Sequence, residues 1–338
     1  MERVAAGMRD TTEDVEIATR EHLLPPSAKR DVPLRLREIA LDDDSGHEVP
    51  IVLVHGATFG SVMFDIPVPG YSLQRFLAVR GWQSFALDVR GYGRSGPSTV
   101  LDAPPGENEP YARLSDAVDD LASAVQFVFA RTGSEIAHVV SFSWGTVIAS
   151  VFAARYPELV GRLVLYAPLY GETNKLWIDR IGDPGGYGRV NPRLGSYRWI
   201  NKSDVRFRWN ADLPAEAQSD SYREERVLCA LFDALSRADP RAAEQNEPAF
   251  RAPAGALVDL FEVFSGRPLY DPTRILAPTL LIRGQDDTTS TESDTLRLLG
   301  ALGSRHKRYV AIAPGSHFLC AERNAAELFG EIDLFLSY

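Results

Sequence analysis

Five short, almost uninterrupted apolar runs recur along the chain, at Ile51–Val54, Ser84–Leu87, 137–140, 163–166 and 279–282, with a weaker sixth at 309–313. A strand with one covered face alternates apolar and polar residues. A run without alternation belongs to a strand covered on both faces, as in a parallel sheet flanked by helices. The intervening segments 72–80, 115–131, 145–156, 291–302 and 325–336 carry helical periodicity. Strand followed by helix, repeated, predicts an α/β fold built on a doubly wound, mostly parallel sheet. The segment 33–41 does alternate, and is expected as an antiparallel strand at the entrance to the sheet.

The alternation stops after Leu169 and resumes near Pro278. About a hundred residues are too many for one crossover connection. Residues 33–170 and 270–338 are therefore read as the core, 171–269 as an inserted, mainly helical cap, and 1–32 as an N-terminal arm. Within the cap, 171–210 is rich in Gly, Pro, Arg and aromatics, whereas 219–237 and 254–264 pattern as amphipathic helices.

The formal net charge is −10, from 46 acidic and 36 basic residues. Such a field repels phosphate backbones and anionic lipid, so neither nucleic acid nor a membrane is an expected partner. Cys229 and Cys320 lack the spacing and histidine company of a metal site, and are expected as thiols. Residues 1–20 lack the apolar run of a secretory signal, and no stretch approaches the roughly 20 apolar residues that span a bilayer. The expectation is a cytoplasmic protein acting on a small molecule, with its oligomeric state left open.

Ser141-Phe142-Ser143-Trp144-Gly145 lies between the run 137–140 and the next helical pattern. A serine in a tight turn between strand and helix is lifted above the sheet, provided that the positions two away are small enough for strand and helix to approach. Gly145 and Ser141 are small, which makes Ser143 the expected nucleophile and leaves Ser141 a formal rival. Trp144 opens the helix, so its N–H and the positive end of the helix dipole point toward a developing oxyanion. Taken alone, Ser143 reads equally well as a helix cap.

The strand 51–54 runs into His55-Gly56-Ala57, and here the chain resembles the α/β-hydrolase family. The resemblance implies that Ala57 supplies a second oxyanion N–H and that His55 braces the loop. Asp88-Val89-Arg90-Gly91-Tyr92-Gly93-Arg94-Ser95 resembles a turn common in the same enzymes, and is implied to be architectural. Gly91, Gly93 and Gly96 also fit a dinucleotide-binding string. A pyrophosphate site, however, needs a helix starting within that string, and Pro97 with a proline-rich loop follows instead. The run 279–282 leads to Gly284-Gln285-Asp286-Asp287. The family's acid commonly lies three positions after such a glycine, which points to Asp287 and leaves Asp286 open. Gly315-Ser316-His317 resembles the catalytic-histidine loop, whereas His22, His47, His138 and His306 are read as incidental. The resemblance covers 33–170 and 275–338, and the order Ser143, Asp287, His317 is that of the family.

The implied chemistry is that of a serine hydrolase needing no metal and no organic cofactor. His317 takes the Ser143 proton, Asp287 holds the imidazole, the Ala57 and Trp144 N–H groups stabilise the oxyanion, and water releases the acyl group. A serine at the elbow argues against the fold's dehalogenase and epoxide hydrolase branches, which attack through a carboxylate. An ester or lactone is the first expectation, with an amide as a further option. Acyl transfer, carbon–carbon bond hydrolysis of a diketone and a non-catalytic ligand receptor stay open. Strand-like alternation over 197–209 would put Val205, Phe207 and Trp209 on one face and the arginines on the other. Trp199 and Trp209, with Thr58 beside the oxyanion loop, are accordingly expected to bind a bulky or aromatic substrate, with one arginine available for a carboxylate. The same pattern fits aromatics that pack the cap on the core, which is the simpler reading.

Overall fold

The computed structural model describes residues 16–42, 46–96, 98–186 and 188–338. Residues 1–15 of the expected arm, and Pro97, lie outside that description. The strands are β1 (Ile17–Leu24), β2 (Leu34–Leu41), β3 (Ile51–Val54), β4 (Ser84–Leu87), β5 (Ala137–Phe142), β6 (Val160–Tyr166), β7 (Tyr197–Asn201), β8 (Ala249–Pro253), β9 (Thr279–Gly284) and β10 (Lys307–Ile312). The helices before the insertion are α1 (Leu73–Ala78), α2 (Thr99–Asp102), α3 (Leu114–Thr132) and α4 (Trp144–Arg155). Those within it are α5 (Lys175–Ile181), α6 (Lys202–Asn210), α7 (Ser219–Tyr222), α8 (Glu225–Ala238) and α9 (Gly255–Phe264), and α10 (Glu292–Ala301) and α11 (Ala325–Leu336) follow.

Each apolar run becomes a strand of one eight-stranded sheet with the order β1-β2-β4-β3-β5-β6-β9-β10. From β4 to β10 in that order all neighbours are parallel, whereas β1 and β2 run antiparallel to theirs. The missing alternation in β3 has a direct cause. Ile51 and Leu53 pack into an apolar cluster with α1 and α11, and Val52 and Val54 pack into another with α3 and α4. All four are fully buried, a contribution of roughly 1.5–3 kcal/mol each relative to exposure. β10 lies at the edge, where its outward positions are exposed, and that dilutes its apolar run.

The chain leaves β3 for β4 on one side, and β5 returns on the other. At such a reversal the crossover helices diverge to opposite faces and open a crevice at the carboxyl ends of the strands, where ligands bind in this architecture. The loops after β3, β5, β9 and β10 all end there.

The boundary between the arm and the core is corrected. Residues 17–24, read as part of the arm, pair with β2 along their whole length, from Ile17 opposite Leu41 to Leu24 opposite Leu34. As an edge strand, β1 exposes much of one face, and its middle, from Thr19 to His22, is polar, which hides it among the arm residues. The insertion carries five helices, α5 to α9, and one strand pair the sequence does not announce, the antiparallel β7 and β8, while α9 packs into the cluster that holds α3 and α4. The segment 219–237 is likewise two helices, α7 and α8, parted at Arg223 and Glu224. Among the described residues no helix is long and apolar enough to cross a membrane.

Candidate active site

The turn after β5 is strained in the way its sequence requires. Ser143 adopts φ 56° and ψ −121°, a region that residues with a Cβ rarely occupy. Its N–H bonds to the Tyr166 carbonyl at 3.0 Å, and its own carbonyl accepts from the Thr146 N–H at 2.8 Å, so strand and helix hold the turn from both ends. Gly145 is obligatory by packing. A Cβ there would lie 2.5 Å from the carbonyl oxygens of both Val54, the last residue of β3, and His55, the residue after it, which are backbone atoms and cannot yield. Gly145→Ala is therefore expected to cost about 4 kcal/mol or more, measured by denaturant unfolding or seen as loss of folded protein.

Ser141, the rival at the elbow, is removed by its surroundings. Its hydroxyl is fully buried and donates to the Val164 carbonyl at 3.0 Å, within the sheet and away from the crevice. The Ser143 Oγ instead stands 2.9 Å from His317 Nε2. On the other side of the ring, His317 Nδ1 lies 2.8 Å from Asp287 Oδ2. The second oxygen of Asp287 accepts the N–H groups of Thr289 and Ser290 at 2.8 and 2.9 Å. Burial opposes the charged form of Asp287, but His317, the Ser290 N–H and Arg283 outweigh it and hold the carboxyl below its usual range. A charged carboxylate at Nδ1 keeps the proton on that nitrogen, which leaves Nε2 as an acceptor for the serine hydroxyl. Asp286 turns elsewhere, accepting from the Tyr222 hydroxyl at 2.8 Å and the Gly315 N–H at 3.3 Å. The choice between the two aspartates, open in the sequence, thus falls to Asp287 in hydrogen-bond geometry.

His55 is fully buried, with Nδ1 2.8 Å from the Gly56 carbonyl and Nε2 accepting from the Val89 N–H at 3.1 Å. Burial lowers its pKa and keeps it neutral, and the two bonds tie the loop carrying Ala57 to the turn after β4. Asp88 does similar work below that turn, accepting from the Ser61 N–H at 2.7 Å and the Arg94 N–H at 3.1 Å. Trp144 is the first residue of α4, and its N–H has no intrahelical acceptor. Among the described residues the Ala57 N–H has no recorded acceptor either, while the Ala57 carbonyl is held by the Tyr92 hydroxyl at 2.9 Å.

A cavity of about 360 Å³ opens over this group, floored by Ala57, Thr58, Ser143 and His317. Thr58 is where the sequence places it; Trp199 and Trp209 are not. Asn201 caps α6 by accepting from the Asp204 N–H, so 202–210 is a helix and not a strand. Val205 and Trp209, four apart, share its buried side, whereas Phe207 is 72% exposed at the cavity rim. The Trp209 indole N–H donates to Glu322 at 2.7 Å, outside the cavity. Trp199 stacks edge-on against Tyr197, under Arg251. The sequence reading missed Trp177 and Arg180 of the lining, although their spacing of three on α5 puts them on one face. A larger cavity of about 590 Å³ lies beyond Thr58, between the 91–96 turn and α8, and includes neither Ser143 nor His317.

The cavity's charges are lopsided. Arg180, Arg198 and Arg208 line it against one carboxylate, Asp204, which is occupied by the Asn201 N–H at 2.9 Å. Arg208 is neutralised by Asp212 and also bonds Thr289 Oγ1 at 2.7 Å. Arg198 is different. Its Nε and one Nη are buried without a hydrogen-bond partner among the described residues, and burial lowers its pKa, opposed by Tyr92 and Asp204. Burial likewise depresses Arg180, and neighbouring Arg208 adds to the effect.

Comparison with known proteins agrees with this arrangement at the level of fold. Over 105 residues the chain is 32% identical to a 2-hydroxy-6-oxononadienedioate/2-hydroxy-6-oxononatrienedioate hydrolase of a Pseudomonas species, covering 31% of this chain and 34% of that one. Over 90 residues it is 31% identical to a 2-hydroxy-6-oxo-6-phenylhexa-2,4-dienoate hydrolase of Comamonas testosteroni, covering 26% and 32%. The match thus spans only about a third of each of these relatives. A thermophilic esterase from Thermogutta terrifontis, solved with malate bound, superposes with a TM-score of 0.63 at 16% identity, covering 94% of this chain and 98% of that one. The model of the alpha/beta hydrolase fold family matches residues 49–323, from the strand before the Ala57 loop to the segment after the His317 loop, and the chain belongs to that family.

Proposed function

We propose that this protein is a serine hydrolase that cleaves a carbon–carbon bond in a small dicarbonyl compound bearing a carboxylate, through an acyl-enzyme on Ser143. The observation that carries the reading is the hydrogen-bonded series Ser143, His317, Asp287 beneath a cavity where two buried guanidinium nitrogens of Arg198 have no hydrogen-bond partner among the described residues. The named activities of the two curated relatives, both hydrolases of 2-hydroxy-6-oxo acids, favour carbon–carbon cleavage over the ester or lactone that the sequence puts first.

In this mechanism the Ser143 hydroxyl gives its proton to His317 Nε2 as Oγ adds to a ketone carbon. The oxyanion is met by the Ala57 and Trp144 N–H groups, each worth roughly 3 kcal/mol in the transition state. Collapse breaks the bond to the adjacent carbon, whose electron pair is delocalised onto a conjugated second carbonyl and is quenched by the proton on His317. Water, deprotonated by the same nitrogen, then releases the acyl group as an acid and restores Ser143. A carbon leaving group departs only when a second carbonyl takes the pair, which is why the reading specifies a dicarbonyl compound. Arg198 holds the carboxylate at the far end.

The test compares kcat/KM for 2-hydroxy-6-oxo-6-phenylhexa-2,4-dienoate with that for p-nitrophenyl butyrate. A preference of about 100-fold or more for the dienoate is expected, and the reverse preference would return the ester reading, which the fold likeness to the esterase supports. Removing one charge-assisted hydrogen-bonding partner costs about 2–3 kcal/mol, so Arg198→Gln should raise KM for the dienoate about 30- to 150-fold. It should leave KM for the uncharged ester within about twofold, because that substrate brings no charge to pair.

A further inference from the structure

One buried carboxylate near the site takes no part in this mechanism. Glu322 is 1% exposed and lies behind the histidine loop, outside the cavity lining. Three donors converge on it: the Ser316 N–H at 2.9 Å, the Ser316 hydroxyl, and the Trp209 indole N–H at 2.7 Å. The first two fix the residue that precedes His317. The third comes from α6, which also gives the cavity Val205, Phe207 and Arg208. The ring of Trp209 packs on Phe318, the residue after His317, with centroids 5.1 Å apart. Both neighbours of His317 are therefore held to the helix that walls the cavity.

A carboxylate suits this junction and an amide does not. Among the described residues no ion pair within 4 Å reaches Glu322; hydrogen bonds are its closest compensation, with the Arg223 guanidinium attracting it from a longer range, and burial pushes its pKa up in spite of them. Glutamine would offer one acceptor oxygen to three donors and turn an NH₂ group toward at least one of them. The charged form satisfies all three, with the shorter and stronger bonds of an ionised acceptor.

We propose that Glu322 is a positioning residue that couples the seating of α6 to the placement of the His317 imidazole, so that a substrate pressed against the cavity wall also sets the base toward Ser143. The proposal rests on the reading of Ser143 and His317 as the reacting pair. A small fluorophosphonate, which reacts at an activated serine without filling the cavity, tests it. The second-order labelling rate at Ser143 is measured for the wild type, Trp209→Phe, Glu322→Gln and the double variant, alongside thermal melting. Trp209→Phe keeps an aromatic ring but removes the donor together with part of the buried indole volume, so the melting temperature is read beside the labelling rate, and the variant serves even if Glu322→Gln fails to fold.

Each single variant is expected to slow labelling about tenfold, the factor one such hydrogen bond carries. The double variant is expected to fall well short of the product of the two effects, because both act through one junction. With the dienoate, kcat should fall by more than KM rises. Unchanged labelling in Trp209→Phe, with only KM or the melting temperature moved, would show a merely structural contact and overturn the proposal, as would strictly multiplicative effects. A wild type that is not labelled at Ser143 would instead remove the reading beneath it, and the two failures are distinguishable.

Discussion

Ser143→Ala is expected to lower kcat by about 10⁶-fold while substrate still binds, the scale of loss seen when a nucleophile of this kind is removed from an intact site. The magnitude follows from the absence of a substitute. The other serine of the elbow, Ser141, commits its hydroxyl to the Val164 carbonyl inside the sheet, and of the hydroxyls on the cavity wall only that of Ser143 bonds His317, the Thr289 hydroxyl being taken by Trp177 and Arg208. Alanine removes one oxygen from a turn held by backbone bonds to Tyr166 and Thr146, so the fold and the cavity should persist. Steady-state kinetics on the dienoate and on an aryl ester give kcat, and calorimetric titration of the inactive variant gives the dissociation constant, expected within about threefold of the wild-type KM where chemistry limits turnover. Activity within about tenfold of wild type would mean that the nucleophile lies elsewhere.

Asp287→Asn should cost about 10⁴ in kcat, with little change in KM. The amide oxygen can still accept the Thr289 and Ser290 N–H groups, so the turn after β9 stays formed. What changes is the face toward His317. An NH₂ group opposite Nδ1 favours the tautomer with its proton on Nε2, and that proton then points at Ser143 Oγ where a lone pair is needed. Asp286→Asn, one residue away, removes only an acceptor for Tyr222 and Gly315 and should leave kcat within about threefold. The pair of variants separates the two carboxylates by function as well as by geometry. The same substitution carries a pH signature. Because the folded-state pKa of Asp287 is depressed, its charge stabilises the fold above the unfolded carboxylate value of about 3.9. That stabilisation is lost as pH falls through the lower folded value, and the asparagine variant should lack that part of the acid-side slope.

Much of this arrangement was legible in the residues because it depends on local patterns. An apolar run of four with no alternation needs cover on both faces, and Ile51–Val54 has it. A serine with a glycine two residues on, between such a run and a helix, needs the close approach that Gly145 makes to the Val54 and His55 carbonyls. Features that depend on distant partners were not legible. β1 is an edge strand whose sequence mixes Arg, Glu and His with apolar residues, and only its pairing with β2 makes it part of the sheet. β7 and β8 are separated by nearly fifty residues and pair across the insertion. The misreading of 197–209 was avoidable in part. Asn201 with Asp204 three residues later is a helix-start signal, and Val205 with Trp209 has the spacing of a helix face, but alternating arginines and aromatics imitated a strand. Which arginine stands unpaired in the cavity is a matter of three-dimensional neighbours, and no spacing rule singles out Arg198 from Arg208.

A Ser143 hydroxyl activated by His317 is open to covalent capture. Wild-type protein and His317→Ala are treated with a fluorophosphonate, digested, and the modified peptide is located by mass spectrometry. Expected is a single adduct on Ser143 in the wild type, forming at least about 10³ times more slowly when the imidazole is gone. An adduct on Ser141, or labelling of Ser143 at the same rate without His317, would contradict it.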